Sequence, residues 1–569
     1  MRHSTLKLLG LSLAALLVCI GAGAAESSDK EVVTLHLMGD STMADKDISG
    51  LNPERGWGMV FENFFDSSVK VKNYARNGRS TKSFIDEGLW DEVKANMKSG
   101  DYLFIEFGHN DQKKDKEKVY ASAWGAYQDN LRMFISTARS MGVTPVLLTS
   151  VARRHFKDGV LDETTLGDYP QACREVARET GTVLIDMEKA TIDWLKKAGD
   201  EASREYFMWV EPGVCPAIPQ GREDNTHSNA RGARRNCDIV CDSIKVKIPA
   251  LASHLVRYDY VVDQSGRGDF LTVQQAIDAV PDYLDKVCKT ILIKEGTYRE
   301  RIIIPASKCN LRIVGQGADK TILVYDNCAR KLWPDTSHEI GTFGSATLFV
   351  DASKVTFEDL SVVNDSGPQS EAGQAVAVMT TGDCIFFHRC SLVGNQDTLF
   401  TNGRYTQNGT TCRSYYLDCH IEGTTDFIFG SGTVLFENCT IHSKRNSYIT
   451  AASTSQGEKF GYVFKNCRLT ADPGIDKVYL GRPWRDYARV VYLECEMGGH
   501  ITAEGWHNWS RPEREKTAYY AEYKCSGKGA KTSGRVSWAH KLSASQAREY
   551  TLENIFRTGS DTWNPLETK

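Results

Sequence analysis

The sequence has no cysteine pattern of a metal site, no excess of positive charge, and no apolar run long enough for a membrane span. None of its 16 cysteines forms a C-x-x-C pair or a cysteine–histidine cluster with zinc spacing, so we expect no metal and no other cofactor. The formal charge of −4 provides no basic field that would attract nucleic acid. The apolar run of residues 8–20 is too short to cross a bilayer.

The amino terminus predicts an exported protein. Arg2 and Lys7 precede the apolar run and small residues follow it up to Ala25, which is the pattern of a bacterial secretory signal peptide over residues 1–25. Cys19 raises a lipoprotein signal as the alternative, although the valine before it fits such a signal poorly. We therefore expect a periplasmic or secreted protein with no transmembrane segment after signal removal.

The length of 569 residues and a change of pattern near Arg257 predict two domains, at residues 30–256 and 257–569. No stretch rich in Pro, Ser or Gly separates them, so we expect the domains to contact each other. Nothing in the sequence indicates an oligomeric state.

The first domain alternates short apolar runs with helix-like segments. The runs VVTLHLMG, DYLFIEF, TPVLLTS and TVLIDM are typical of buried strands, and segments such as YQDNLRMFISTARSMG lie between them. This alternation predicts a three-layer, flavodoxin-like α/β domain with its chemistry in the loops at the strand ends.

Five residues in those loops form a set suited to acyl transfer. Ser41 follows a strand in a sharp Gly-Asp-Ser turn and can serve as the nucleophile, with Asp224 and His227 as its base pair. The backbone N–H of Gly78 and the side chain of Asn110 can stabilise an oxyanion.

This set resembles the SGNH (GDSL-type) hydrolases, and the phrases NGRSTKSF, FGHND and DNTH resemble the rhamnogalacturonan acetylesterase branch. The resemblance implies that Ser41 attacks an O-acetyl carbonyl, that His227 takes its proton and that Asp224 orients the imidazole.

The second domain consists of short strands at intervals of about 20 to 30 residues. Five of them carry a cysteine in a similar phrase (FFHRCSL, YYLDCHI, LFENCTI, VFKNCRL, VYLECEM), and helical segments are nearly absent after QQAIDAVPDYL. Such repeats predict a solenoid, best matched by a right-handed parallel β-helix with the cysteines buried along its interior.

Asp397 and Asp426 lie 29 residues apart, each seven residues after one of these cysteines. We expect them on neighbouring coils, where parallel strands are about 4.8 Å apart. Repulsion between the carboxylates would raise one pKa while Arg482 keeps the other group charged, which makes one acid and one nucleophile. Gln374 and Gln396 can donate to an oxyanion.

The surrounding phrases, which include GTYRERI, GWHNW and AYYAEY, resemble the pectin methylesterases over nearly the whole domain. The resemblance implies that Asp426 attacks the methyl ester of galacturonate and that Asp397 protonates the departing methanol. It also implies that Arg482 fixes Asp426 and that Trp484 and Trp506 line the sugar groove.

The two resemblances together imply a bifunctional esterase acting on the homogalacturonan and rhamnogalacturonan of pectin. One alternative is a β-helix glycoside hydrolase with an accessory esterase, because closely spaced carboxylates also serve glycoside cleavage. The other is a pair of non-catalytic carbohydrate-binding modules, which would leave both catalytic sets unexplained.

Overall fold

The computed structural model describes residues 32–334, 336–403, 412–558 and 561–567. The predicted signal peptide, residues 1–25, lies outside the described residues. Within the described ranges, no helix combines the length and the apolar character needed to cross a membrane.

The amino-terminal part is built on a five-stranded parallel sheet. Its strands lie in the order β2–β1–β3–β4–β5. They are β1 (Val33–Gly39), β2 (Val69–Asn73), β3 (Tyr102–Glu106), β4 (Thr144–Leu148) and β5 (Val183–Ile185).

Helices cover both faces of this sheet. The α-helices are Trp57–Val60, Thr81–Asp86, Leu89–Asn96, Ala126–Ser140, Tyr169–Thr180, Met187–Ala198, Asp200–Ser203, Ala230–Lys247 and Pro249–Ala252. Short 3-10 turns occupy Ser49–Leu51, Phe61–Phe64 and Arg204–Tyr206.

Strand alternation sends apolar side chains to two separate cores. Leu35 and Leu37 of β1 pack in one core with the helix Ala230–Lys247, whereas Met38 of the same strand packs in the other with the helix Ala126–Ser140. This part is therefore a three-layer α/β domain, and the predicted fold class is confirmed.

Two antiparallel hairpins stand beside the sheet. The larger joins β6 (Phe207–Val210) to β7 (Arg222–Ser228), and the smaller joins Phe156–Lys157 to Val160–Leu161. The larger one matters most, because β7 carries both Asp224 and His227.

The carboxyl-terminal part is a parallel β-helix of three long sheets, as predicted. The first sheet contains Tyr260–Val262, Lys289–Ile293, Leu311–Val314, Val355–Glu358, Ile385–His388, Arg413–Leu417, Thr433–Glu437, Tyr462–Lys465, Arg489–Leu493, Tyr519–Tyr523 and His540–Lys541. The second contains Gly296–Arg299, Thr321–Tyr325, Ser361–Asn364, Ser391–Val393, His420–Gly423, Thr440–Ser443, Arg468–Ala471 and Glu496–Met497. The third contains Ile302–Ile304, Leu348–Val350, Val378–Thr380, Leu399–Thr401, Ile428–Gly430, Tyr448–Ala452 and Tyr479–Pro483.

A few short elements complete this part. They are the α-helices Val273–Ala279, Gly341–Gly344, Gln369–Ala372, Ala544–Ala547 and Leu552–Phe556, the 3-10 turns Pro512–Lys516, Lys528–Ala530 and Thr532–Gly534, and the antiparallel pair Arg557–Thr558 and Asp561–Thr562.

The repeating cysteines mark one corner of each coil. The residue before each of the five has a left-handed backbone, for example Asp418 and Asn438 with φ of 54° and 55°. The corner turns the cysteine inward, so Cys419 Sγ donates to the backbone oxygen of Phe387 on the preceding coil at 3.4 Å. All five thiols are buried and free, which confirms the predicted interior row.

The two parts are in direct contact. Arg55 Nε donates to the backbone oxygen of Gly266 at 2.7 Å, and Asn63 Nδ2 donates to that of Arg267 at 2.6 Å. Arg234 forms an ion pair with Asp269 at 2.6 Å. The contact expected from the short join is therefore present.

Candidate active sites

The predicted serine, histidine and aspartate form one hydrogen-bonded chain. Ser41 lies just past the carboxyl end of β1, and its Oγ is 2.8 Å from Nε2 of His227. The other ring nitrogen of His227 lies 2.8 Å from Oδ2 of Asp224. The backbone N–H groups of Thr226 and His227 donate to Oδ1 of Asp224 at 2.8 and 3.0 Å.

These contacts keep Asp224 charged. Burial alone would raise its pKa, but the hydrogen bonds from His227 and Thr226 outweigh burial and hold the pKa of Asp224 well below its usual value. A carboxylate in this position fixes the orientation of the imidazole and stabilises its protonated form.

The two predicted oxyanion donors are neighbours. Gly78 has a left-handed backbone (φ 77°) in the loop after β2. Asn110, in the loop after β3, donates through Nδ2 to the backbone oxygen of Arg79 at 2.9 Å, which places its amide next to Gly78. The amide has a second N–H to offer. Lys113 Nζ donates to Oδ1 of Asn110 at 2.6 Å and helps to orient it.

A buried carboxyl group lies beneath this site. Glu106, at the end of β3, accepts a hydrogen bond from Trp57 Nε1 at 2.6 Å and one from the backbone of Val151 at 3.2 Å. Burial and the nearby charge of Asp40 raise the pKa of Glu106 to about 8. Glu106 is therefore protonated at neutral pH.

The two predicted carboxylates of the β-helix lie on adjacent coils. The strand after Asp397 pairs in parallel with the strand after Asp426, with Leu399 opposite Ile428. The backbone N–H of Asp397 donates to the backbone oxygen of Thr425 at 3.1 Å. Asp397 and Asp426 both have left-handed backbones, with φ of 68° and 48°. Such a conformation is uncommon for residues other than glycine and often marks a functional site.

Arg482 distinguishes the two carboxylates. Its Nε and Nη2 donate to the two oxygens of Asp426 at 2.9 and 2.5 Å. Burial raises the pKa of Asp426, and these hydrogen bonds oppose the rise. Burial and then the charge of Asp426 raise the pKa of Asp397 well above its usual value. Asp397 is thus the group that keeps its proton.

The residues of this site line a groove of about 230 Å³. Its walls include the predicted residues Gln374, Gln396, Asp397, Asp426, Arg482 and Trp484. A parallel β-bridge pairs Gln374 with Gln396, so their side chains leave the backbone on the same face, and both line the groove.

Trp506 does not line this groove, and its predicted role in sugar binding is wrong. It is 1% exposed in the interior of the β-helix, where its ring lies 4.5 Å from that of Tyr520. A β-bridge to Gly481 fixes the backbone of Trp506 and turns the indole inward.

Comparison with known proteins finds two family models on different parts of the chain. The family model of the pectinesterases matches residues 259–560, slightly more than half of the chain. The chain belongs to the pectinesterase family. The model of the GDSL-like lipase/acylhydrolase family matches residues 37–235, so the pectinesterase carries a GDSL-like domain before its β-helix. The predicted resemblances to the pectin methylesterases and to the GDSL-type hydrolases are confirmed.

Individual relatives agree with this assignment. Pectinesterase 31 of Arabidopsis thaliana is 38% identical over 294 residues, which are 51% of this chain and 89% of that protein. Probable pectinesterase 8 of the same plant is 36% identical over 339 residues, 57% of this chain and 80% of the relative. The solved pectin methylesterase from carrot is 31% identical and aligns with 53% of this chain and 93% of its own, with a TM-score of 0.48. The family model and the two plant relatives identify the β-helix as a pectinesterase domain, and the chain is a carboxylic ester hydrolase.

Two aromatic residues of the pectinesterase site were missed from sequence. Trp509 and Tyr448 enclose the guanidinium of Arg482, which lies 3.7 and 3.9 Å from their ring centres. Trp509 belongs to the same GWHNW phrase as Trp506, and its left-handed backbone (φ 63°) turns it into the groove. The GWHNW motif indicated a tryptophan at the site, but nothing in it showed which of its two tryptophans faces the groove.

Across the part of the chain that the structure describes, no three His, Cys, Asp or Glu side chains are grouped to hold a metal ion.

Proposed function

We propose that this pectinesterase removes methyl esters from galacturonate units at its β-helix and O-acetyl esters from pectin at its GDSL-like domain. The observation that carries the first activity is the pair of buried carboxyl groups on adjacent coils, of which Asp426 is bound by Nε and Nη2 of Arg482 and Asp397 has a pKa raised by burial. The second activity is supported by the Ser41–His227–Asp224 chain.

At the β-helix site, Asp426 is the nucleophile. Its carboxylate oxygen attacks the ester carbonyl, and the amides of Gln374 and Gln396 stabilise the resulting oxyanion. The C–O bond to the methoxy group then breaks, and Asp397 gives its proton to the departing oxygen, which releases methanol. Asp397, now a carboxylate, takes a proton from the water that cleaves the acyl-enzyme. This restores both groups and releases galacturonate.

Trp484 forms part of the sugar groove in this proposal. Its indole lines the same groove as the carboxylates and packs near Phe429, with ring centres 5.9 Å apart. An aromatic face in this position can stack on a sugar ring.

At the serine site, Ser41 Oγ attacks the acetyl carbonyl while His227 Nε2 takes the hydroxyl proton. The backbone N–H of Gly78 and the Asn110 amide stabilise the oxyanion. The bond between the acetyl carbon and the sugar oxygen then breaks as His227 gives its proton to that oxygen, and a water activated by His227 releases acetate from Ser41.

The surroundings of the serine site favour an acidic polymer such as homogalacturonan or rhamnogalacturonan. Lys113 contacts the Asn110 side chain, and Arg153 donates to the backbone oxygen of Thr165 at 2.7 Å. Among the described residues, no ion pair joins either cation to a carboxylate, although the charge of Asp40 acts on both. Such cations can bind the carboxylates of galacturonate units.

We further propose that residues 1–25 direct export, so that the enzyme meets pectin in the periplasm or outside the cell. We place the boundary between the two catalytic domains at residues 256 and 257.

The test is a product assay on methylated and acetylated pectin. We expect methanol and acetate but no new reducing ends from the wild-type protein. Ser41→Ala should abolish acetate release and leave methanol release, and Asp426→Ala should do the reverse. The activity that each variant retains shows that its own chain is folded. Reducing ends without methanol would support the glycoside hydrolase alternative, and loss of both products in either folded variant would refute two independent sites.

A further inference from the structure

Arg222, on strand β7, contacts the acid of the serine site. It lies two residues before Asp224, so both side chains project from the same face of the strand. Its Nη2 donates to Oδ2 of Asp224, the same oxygen that His227 Nδ1 contacts, and lies 3.3 Å from that ring nitrogen. A permanent positive charge therefore lies beside the aspartate–histidine pair.

Glu54 contacts this arginine from the opposite side. Arg222 Nη1 donates to Oε2 of Glu54 at 2.6 Å, and Lys46 Nζ lies 2.8 Å from the other oxygen. Lys46 also donates to Oδ1 of Asn77, the residue before Gly78, at 2.6 Å. Glu54 thus connects the strand that carries the acid and base with the loop that carries an oxyanion donor.

Glu54 is charged at neutral pH. Burial would raise its pKa, but the hydrogen bond and charge of Lys46, followed by the hydrogen bond of Arg222, outweigh burial and hold the pKa of Glu54 below its usual value. The Glu54 side chain is 12% exposed and that of Lys46 is 3% exposed, so water screens these contacts weakly.

The charges around His227 then determine what Glu54 does. In the transition state the imidazole becomes positive, which Asp224 favours and Arg222 opposes. Glu54 neutralises Arg222 while leaving it in place as a hydrogen-bond donor to Asp224. Without the Glu54 charge, Arg222 and Lys46 would lose the carboxylate that they share, and their repulsion of the imidazolium would increase.

We propose that Glu54 is a positioning residue of the serine site, which acts through Arg222 on the Asp224–His227 pair and through Lys46 on the Gly78 loop. This inference rests on the proposed acyl hydrolysis at Ser41.

The backbone at Glu54 is held independently of its side chain. The neighbouring Arg55 exchanges hydrogen bonds with Ser228, from backbone N–H to backbone oxygen at 2.9 Å and from the Ser228 hydroxyl to the Arg55 oxygen at 2.8 Å. The Arg55 side chain also binds Gly266 of the β-helix. A neutral side chain at position 54 therefore leaves the segment in place.

The experiment compares Glu54→Gln, which keeps the shape and removes the charge, with Glu54→Asp, which keeps the charge. Acetate and methanol release from esterified pectin are measured against pH in the full-length protein. For Glu54→Gln we expect kcat for acetate to fall about 10- to 100-fold with KM little changed. The pH profile of acetate release should shift in Glu54→Gln and stay as in wild type in Glu54→Asp, because only Glu54→Gln removes the negative charge next to Arg222.

Methanol release should remain at the wild-type level in both variants, which shows that the protein is folded. Glu54→Asp should recover most of the acetate activity. Glu62→Gln is the matched control, since Glu62 lies in the same segment and pairs with Lys70 at 3.9 Å on the surface. It should leave both activities unchanged.

Ser41→Ala, assayed in parallel, separates the two possible failures. If Ser41→Ala keeps acetate release, the proposed serine site is wrong and the role of Glu54 falls with it. If Ser41→Ala is inactive while Glu54→Gln keeps the wild-type kcat and pH profile, only the positioning role is refuted. The role is also refuted if Glu54→Gln lowers acetate and methanol release equally, because that is the result of a purely structural residue.

Discussion

Replacement of Arg482 tests the pectinesterase mechanism most directly. Arg482 holds Asp426 with two hydrogen bonds and is itself enclosed by the rings of Trp509 and Tyr448. Hydrogen bonds that involve charged groups contribute about 1.5–3 kcal/mol each. Arg482→Gln loses the cation and so removes about 3–6 kcal/mol of support for the Asp426 carboxylate. We expect kcat for methanol to fall by about 10²- to 10⁴-fold.

The pH dependence should change in a defined direction. Burial already raises the pKa of Asp426, and Arg482 opposes that rise. Without the arginine the pKa of Asp426 rises further, so a higher pH is needed to form the nucleophilic carboxylate. The acid limb of methanol release should therefore move to higher pH in Arg482→Gln. Arg482→Lys keeps the charge but not the paired hydrogen bonds, and we expect a fall of about 10- to 100-fold with a smaller shift.

Two controls accompany these variants. Acetate release at Ser41 reports whether the chain is folded, since it does not use the β-helix carboxylates. Arg489→Lys is the matched replacement, because Arg489 also stacks on an aromatic ring, that of Tyr519 at 4.8 Å, and should leave methanol release unchanged. If Arg482→Gln keeps kcat within about threefold of wild type and the acid limb of methanol release does not move, the assigned role of Arg482 is refuted.

Three further outcomes are expected. Trp506→Ala should lower the free energy of unfolding by about 3–5 kcal/mol because it leaves a cavity in the core. Trp509→Ala should lower kcat for methanol release with little change in melting temperature. The reverse pattern would contradict the placement of the two rings. Asp397→Asn cannot exchange a proton with methanol or water and should reduce methanol release at least about 100-fold, and a rate close to wild type would exclude Asp397 as the acid. Glu106 has a pKa of about 8 in the folded chain against the ordinary 4.5, so the free energy of unfolding should fall as pH rises from about 4.5 to 8 and level off above. Urea titrations at several pH values should show a smaller dependence of the unfolding free energy on pH for Glu106→Gln. The same dependence as in wild type would contradict the buried neutral state.

The sequence predicted those features that repeat or lie close together along the chain. The spacing of 29 residues placed Asp397 and Asp426 on adjacent coils, because each coil repeats the same strands in the same register. The order of motifs predicted the serine site in a similar way, since the loops after parallel strands meet at one edge of the sheet.

What the sequence could not predict depends on contacts without periodicity. Glu54 and Arg222 meet across 168 positions, and nothing in either local phrase marks the other as its partner. Trp506 and Trp509 share one motif outside the regular strands, where alternation no longer indicates which side chain points inward. Only the backbone of that segment, with its bridge to Gly481 and its left-handed residues, decides which tryptophan faces the substrate groove.

The left-handed backbone at Asp397 places the catalytic acid but lowers the stability of the fold. An aspartate there bears the cost of an uncommon conformation, and its acid group is excluded from water beside a second carboxyl. Asparagine also adopts this conformation, and it avoids the free energy needed to protonate a carboxyl group whose pKa burial has raised. The inactive Asp397→Asn enzyme should therefore melt at a higher temperature than the active one. A lineage of this pectinesterase selected for heat resistance alone would be expected to lose its general acid early, because that substitution makes the fold easier to maintain.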